Sequence, residues 1–400
     1  MNITYYNLIS GFRTYDIDNE TFKTVSKFTK NVCKFSAFIG YDASDEGLVN
    51  FTKDFLQWCK ELNTPVKGYL KIDYLSYRSH AIAVESTFKR ISGIHSEHET
   101  VDRLENSYMS KCNNGGLLYC EEYEGPAFGY DYKSYYPTIL STHTLYIPTK
   151  RGRERYVDIK DYLKKGKTLP YGYYYVNIIS SNPDANKIFN FSPHGVYTHY
   201  SIEFAYKHKK EFGFKFGFYT EEEGYNAYTY NANDLVKSST MFLKWKTALL
   251  KLRELYPKNK LIKHLLSSIW GSLTKYKKIC KTYEEIVNEG LNIGVDEDAD
   301  YIVHSRENSE CSDHYILYKS DDPYYYGLAR LKSFMTSFAR NRLAETAIYG
   351  GIDDVIRLHT DNVTFKTNKD DLMKNRKIEP EEKTTGNLKF TVVNRAPTRI

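Results

Sequence analysis

A mixed α+β fold in more than one subdomain is what this sequence predicts, and three observations lead there. At 400 residues the chain exceeds the size at which a single core usually stops growing. With 41% hydrophobic and 26% charged residues it has enough apolar material for a sizeable core and a solvated surface around it. The elements legible along it are short strands, a hairpin and separate helices, with no internal repeat, low-complexity tract or long linker.

The first hundred residues show a strand-like stretch at 33–41 and a helical one at 49–62. Asp16, Asp18 and Glu20 have the look of a nuclease carboxylate pair, but no further carboxylate motif follows and a solvated turn is the simpler reading. Residues 128–132 read as a buried strand, and Pro137 stands where it can open the next helix as its first residue. An aromatic-rich stretch with Gly, Pro and Asn clusters runs on to about residue 233. Two helices follow. Ser238, Ser239 or Thr240 can cap the first, whose stripe is Phe242, Trp245, Leu249, Leu252 and Tyr256, and Pro257 ends it. The second begins near Lys258 and runs to about Gly271. Residues 325–349 read as a long helix stopped by Gly350 and Gly351, and 355–365 as two strands meeting at Asp361 and Asn362.

The net charge of +6 and a pI of about 8.6 suit a local basic groove on a polyanion, though many enzymes without a nucleic-acid partner are as basic. Six cysteines without a CxxC pair predict buried free thiols in a reducing compartment. No apolar stretch is long enough to span a membrane, and the first residues lack a signal-peptide core. An intracellular protein with no membrane partner is the expectation.

In the second of the paired helices, Lys260, Lys263, Ser267, Trp270 and Thr274 recur at spacings of three and four and share one face. Ile262, Leu265, Leu266, Ile269 and Leu273 share the other. One side packs; the other displays cations, a hydroxyl and a flat ring, which suits a nucleoside triphosphate. An ordinary amphipathic helix with a half-buried tryptophan has the same pattern.

Three motifs in order narrow the choice. GYDYKSYYPTIL (129–140) resembles the DxxSLYP motif A of family B DNA polymerases, KHLLSSIWG (263–271) their KxxxNSxYG motif B, and RLHTDN (357–362) their YxDTDS motif C. NNGG (113–116) stands where the protein-primed branch of viral and linear-plasmid enzymes carries YxGG, with Asn113 in place of the tyrosine. Residues 335–340 resemble the ITAxxR helix that precedes motif C. The resemblance spans about residues 105–395. It implies a right-hand polymerase: a palm with an antiparallel sheet, and helical fingers. The implied divisions are an N-terminal module of unclear role (1–110), palm (111–145), an insertion (146–235), fingers (236–275), a second connecting region (276–323) and the rest of the palm (324–400), with the thumb absent or truncated.

The resemblance also implies roles. Asp131 and Asp361 would be catalytic and, with the backbone carbonyl of Tyr132, would hold two Mg²⁺ ions. Ser134, Tyr135 and Tyr136 would lie along the nucleotide, with Tyr136 rejecting a ribose 2′-hydroxyl by its size. Lys263 would contact the triphosphate, Lys251 and Lys260 would add to it, and Ser267 and Trp270 would face the incoming nucleotide. Gly115, Gly116, His359, Thr360, Lys275 and Lys277 would meet primer and template, the lysines alternatively forming a solvated turn. His359 stands where the family has its first motif C aspartate, which lowers the negative charge near the metals and favours Mn²⁺ as a substitute. Implied partners are a primed DNA template, deoxynucleoside triphosphates and a terminal protein primer, in the replication of a viral or mobile-element genome. The competing expectation is a catalytically inactive relative that binds nucleic acid or a replication protein. A reverse transcriptase is disfavoured because motif C has no YxDD pair, and no set of carboxylates suggests a proofreading nuclease.

Overall fold

The computed structural model of the chain describes residues 2–7, 11–16, 19, 21–25, 35–38, 45–77, 80–93, 98–112, 115–294, 299–309, 312–370 and 388–393. It is the expected mixture of helices and largely antiparallel sheets. The chain divides into two compact units, Met1–Ser96 with Thr240–Leu273, and Glu97–Ser239 with Thr274–Ile400. No helix among the described residues is long and apolar enough to cross a membrane.

In the first unit the strands Asn2–Asn7, Gly11–Asp16, Thr21–Val25 and Phe35–Phe38 form one sheet, in the order third, second, first, fourth. Asp16 ends its strand and accepts a hydrogen bond from the Asn19 side chain at 2.7 Å, which is turn geometry. Asp18 and Glu20 lie outside the described residues. Helix Asp45–Asn63 contains the stretch read as helical. Helix Lys260–Leu273 starts two residues later than expected because Asn259 caps it. The Asn259 Oδ1 accepts the Leu261 N–H at 3.1 Å, while its Nδ2 donates to the Trp58 carbonyl at 3.0 Å. Ile262, Leu265, Leu266, Ile269 and Leu273 are buried as the periodicity predicts, and so are Phe242, Trp245, Leu249 and Leu252 of helix Ser238–Leu255. Each such side chain contributes about 1.5–3 kcal/mol on burial. Phe242 stacks on Phe88 with centroids 4.8 Å apart, which ties this helix to His80–Ser92.

The second unit is built on a five-stranded antiparallel sheet in the order Leu388–Val393, Ala127–Tyr132, Asn362–Phe365, Val355–His359, Leu118–Cys120. The expected strand at 128–132 and the expected hairpin are both in it. Helix Tyr135–Leu140 follows the first of these strands, with Ser134 as N-cap. Pro137 is therefore its third residue and not its first. A missing N–H costs nothing there either, because that position has no helical acceptor. Ser238 and Ser239 do not cap the helix they begin: Ser238 donates to the Thr142 carbonyl at 3.1 Å, and Ser239 bonds the His143 ring at 2.9 Å.

The aromatic-rich stretch forms a second sheet from Val196–Thr198, Gly172–Ile179, Ala227–Thr229 and Arg153–Arg155, in that order, with Lys215–Phe218 also paired to Gly172–Ile179. The long helix is Leu331–Gly350, behind a 3₁₀ turn at Gly327–Arg330. It begins later than 325 because Tyr324 bridges Tyr276 and stacks on it at 4.5 Å, while the Tyr325 N–H donates to the Lys275 carbonyl at 3.1 Å. Those residues are spent on another element. Gly351, at φ +96°, ends the helix as expected.

One ion pair in this unit is wholly buried. Glu105, on helix Arg103–Lys111, receives Nε and Nη2 of Arg330 at 2.6 Å each and the Tyr230 hydroxyl at 2.6 Å. The remaining guanidinium N–H groups go to the carbonyls of Glu99, Thr100 and Gly327. The thiol expectation needs correction: Cys59 and Cys112 are buried, but Cys120 and Cys280 are exposed. Cys33 and Cys311 lie outside the described residues.

Candidate active site

The central sheet brings Asp131 and Asp361 together. Asp131 lies opposite Asn362 in the register of the two neighbouring strands, and the Tyr132 N–H donates to the Asp361 carbonyl at 2.9 Å. Asp131, second-last in its strand, and Asp361, in the turn that leads into the neighbouring strand, thus lie at the same end of the sheet, each only partly exposed. Tyr132 is held in place by its hydroxyl, 2.5 Å from Thr346 Oγ1 on the long helix.

Among the described residues, two carry a side chain in the left-handed backbone region, and both belong to this site: Ser134 at φ 51° and Thr360 at φ 55°. Such conformations cost of order 1 kcal/mol or more and persist where surrounding structure enforces them. At Thr360 the enforcement is visible. Its N–H donates to the Leu117 carbonyl at 3.1 Å and its hydroxyl to Asp361 Oδ1 at 2.9 Å. His359 Nδ1 is 3.5 Å from that hydroxyl, the far limit of a hydrogen bond, so it is Thr360 that orients the carboxylate.

The glycine loop closes on the hairpin tip. A Cβ on Gly116 would meet Thr360 Cγ2 at 2.8 Å, so a glycine is needed for this approach. The Gly115 carbonyl accepts from Arg340 Nη1 at 2.6 Å, and that of Gly116 from Asn190 Nδ2 at 3.0 Å. Arg340 is buried and also donates to Ser337 Oγ at 3.0 Å. Asn113 lies outside the described residues. Gly116→Val is expected to cost about 1–3 kcal/mol of overpacking and to displace the Asp361 turn. Thermal melting should fall accordingly; a variant that melts like the wild type removes the docking role.

Tyr136 is half-buried, and burial, followed by the negative charge of Asp361, raises its phenol above the ordinary value. Its ring therefore lies within electrostatic reach of Asp361 and stays neutral. Tyr135 is different. It is buried, stacks on Tyr132 at 4.8 Å and gives its hydroxyl to the Ala339 carbonyl at 2.6 Å. It braces the motif from behind.

Lys275 lies 5.3 Å from the Tyr325 ring and Lys277 is ion-paired with Asp322, so Lys277 is already neutralised within its own unit. Lys251, Lys260, Lys263, Ser267 and Trp270 belong to the other unit. All are exposed except Trp270, which is half-buried, and Lys260 lies 5.7 Å from the Trp58 ring. Asn190 escaped sequence reasoning because nothing in its neighbourhood marks it.

Among the described residues no three His, Cys, Asp or Glu side chains cluster as a metal site. The donors present are two carboxylates and a backbone carbonyl. These are hard oxygens, the donor type that suits Mg²⁺, and His359 two residues before Asp361 adds an imidazole nearby.

No protein-family model matches the chain, and no curated protein does. Solved structures of phi29 DNA polymerase are similar to it. The ternary complex with primer-template DNA and incoming nucleotides has a TM-score of 0.49 and 12% identity over 79% of this chain and 53% of that one. The complex with single-stranded DNA has a TM-score of 0.48 and 14% identity over 78% and 51%. The chain spans about half the length of these structures.

Proposed function

We propose that the chain is a DNA-templated DNA polymerase of the family B type, extending a primer 3′-hydroxyl in the replication of a viral or mobile-element genome. The observation that carries this reading is the pairing of Asp131 and Asp361 at one end of one sheet, joined through the Tyr132–Asp361 backbone bond. In this reading the five-stranded sheet is the palm and helix Lys260–Leu273 belongs to the fingers. Two Mg²⁺ ions, or Mn²⁺, on the two carboxylates and the Tyr132 carbonyl would supply activation of the hydroxyl and neutralisation of the leaving pyrophosphate.

The chain's own residues do the positioning. Thr360 fixes the rotamer of Asp361, the Gly115–Gly116 loop holds Thr360, and Lys251, Lys260 and Lys263 supply cations for the triphosphate. Ser134 shapes the turn before the nucleotide, and Ser267 and Trp270 face its base. A primed template would be the DNA partner, reached through Gly115, Gly116, His359, Thr360 and Lys275, with Lys277 exchanging Asp322 for a phosphate. A terminal protein would be the primer, as in the branch the NNGG segment resembles.

Primer extension on a primed template with Mg²⁺ or Mn²⁺ and all four deoxynucleotides tests the proposal: extension is expected. Complete inactivity under both metals would favour the second reading, an inactive nucleic-acid-binding relative, which the imidazole of His359 at a carboxylate position supports. Tyr136→Ala is expected to lower discrimination against ribonucleotides about tenfold or more, as loss of a steric wall does. Unchanged sugar selectivity in competition assays removes the gate role.

A further inference from the structure

The geometry points to a phosphate-binding site in the second unit, on the edge strand Arg153–Arg155, built from residues outside the candidate active site. Side chains alternate along a strand, so Arg153 and Arg155 share one face. Glu154 takes the other, where it accepts the Tyr108 hydroxyl at 2.8 Å. The two arginines line a cavity of about 540 Å³ together with Arg151, Thr229, Asn231 and Asp234. That volume is in the range of small-ligand sites and large enough for a nucleotide.

Charge decides what the cavity takes. Asp234 is paired with Lys150 at 3.1 Å, and Arg151 lies 3.5 Å from Asp102 and 3.8 Å from Glu99 while donating to Thr100. Those two cations are more than offset by three carboxylates. Arg153 and Arg155 make no ion pair among the described residues, and Arg155 Nε is buried without an acceptor. A buried donor left this way is costly, and an anionic oxygen is the partner that relieves it. Two planar forks on one strand face match the several oxygens of a phosphate ester. The tyrosines in the wall are committed elsewhere, Tyr171 to the Tyr146 carbonyl and Tyr230 to Glu105, so the site reads charge and not base. It stands whether or not Asp131 and Asp361 hold metal.

The test is calorimetric titration of the full chain with inorganic tripolyphosphate, free of divalent metal. A Lys263→Ala background separates this site from the proposed triphosphate contact. Binding is expected, with a loss of about tenfold or more in affinity when Arg153→Gln and Arg155→Gln are combined. Arg153→Lys should lose less, because it keeps the charge without the fork. No binding by the parent protein, or equal binding by the double variant, overturns the site. Where Arg155→Gln unfolds the chain on melting, Arg153→Gln alone decides, since its side chain is exposed: weaker binding supports the site and equal binding sinks it. Displacement by an oligothymidylate identifies a nucleic-acid backbone as the source of the phosphate. Displacement by a deoxynucleoside triphosphate but not by the oligomer identifies a free nucleotide.

Discussion

Asp361→Ala is expected to lower nucleotide incorporation at least about a thousandfold, since metal-held charge stabilisation contributes several kcal/mol and each 1.36 kcal/mol is a factor of ten. The fold should survive. Asp361 is partly exposed in a turn, and the backbone bonds that join it to Tyr132 and His359 do not involve its carboxylate. Asp131→Ala should be as damaging, and the double variant little worse than either, because two carboxylates proposed to hold one centre would fail as a unit. Single-turnover primer extension in Mg²⁺ and in Mn²⁺, beside a melting curve, measures this. A folded Asp361→Ala protein that extends primers at the wild-type rate would falsify the site assignment.

Glu105→Ala is expected to destabilise the second unit by about 3–5 kcal/mol, the cost of leaving a buried guanidinium without its carboxylate. Arg330 has no exposed surface through which water could replace the lost partner. The double variant Glu105→Leu with Arg330→Met should recover much of the loss, because replacing both ions by apolar groups removes the unpaired charge. Denaturant midpoints for the two single variants and the pair decide it. A single-variant loss under about 1 kcal/mol would mean that water reaches the pair after all. The effect should extend to incorporation. Arg330 leads directly into Leu331–Gly350, and that helix carries the Arg340 that holds Gly115.

Local pattern made some of this legible and long-range pairing hid the rest. The apolar face of Lys260–Leu273 shows in the sequence because helical period alone decides it, and the strand Ala127–Tyr132 shows because a run of apolar and aromatic residues needs no partner to be recognised. The start of the long helix reads too early, at 325, because Tyr324 and Tyr325 keep a helical rhythm while bonding Tyr276 and Lys275, distant in sequence. The positive φ of Thr360 leaves no compositional trace, since it is imposed by the Leu117 carbonyl and the Asp361 carboxylate. Asn190 and Arg340 bond backbone carbonyls, and an acceptor that every residue possesses gives no motif. The separation of Asp131 from Asp361 in sequence says nothing about strand register; only the motifs suggested that they meet.

Strand order also bears on how the protein is made. Ala127–Tyr132 lies between Asn362–Phe365 and Leu388–Val393, so both of its neighbours leave the ribosome long after it does. At ordinary synthesis rates the strand waits roughly ten seconds or more with both edges unpaired. A bare edge rich in aromatic residues is a template for joining a second nascent chain. The residue that anchors the candidate chemistry is thus also among the most vulnerable to misassembly during translation, and yield of folded protein should depend on how well that interval is covered.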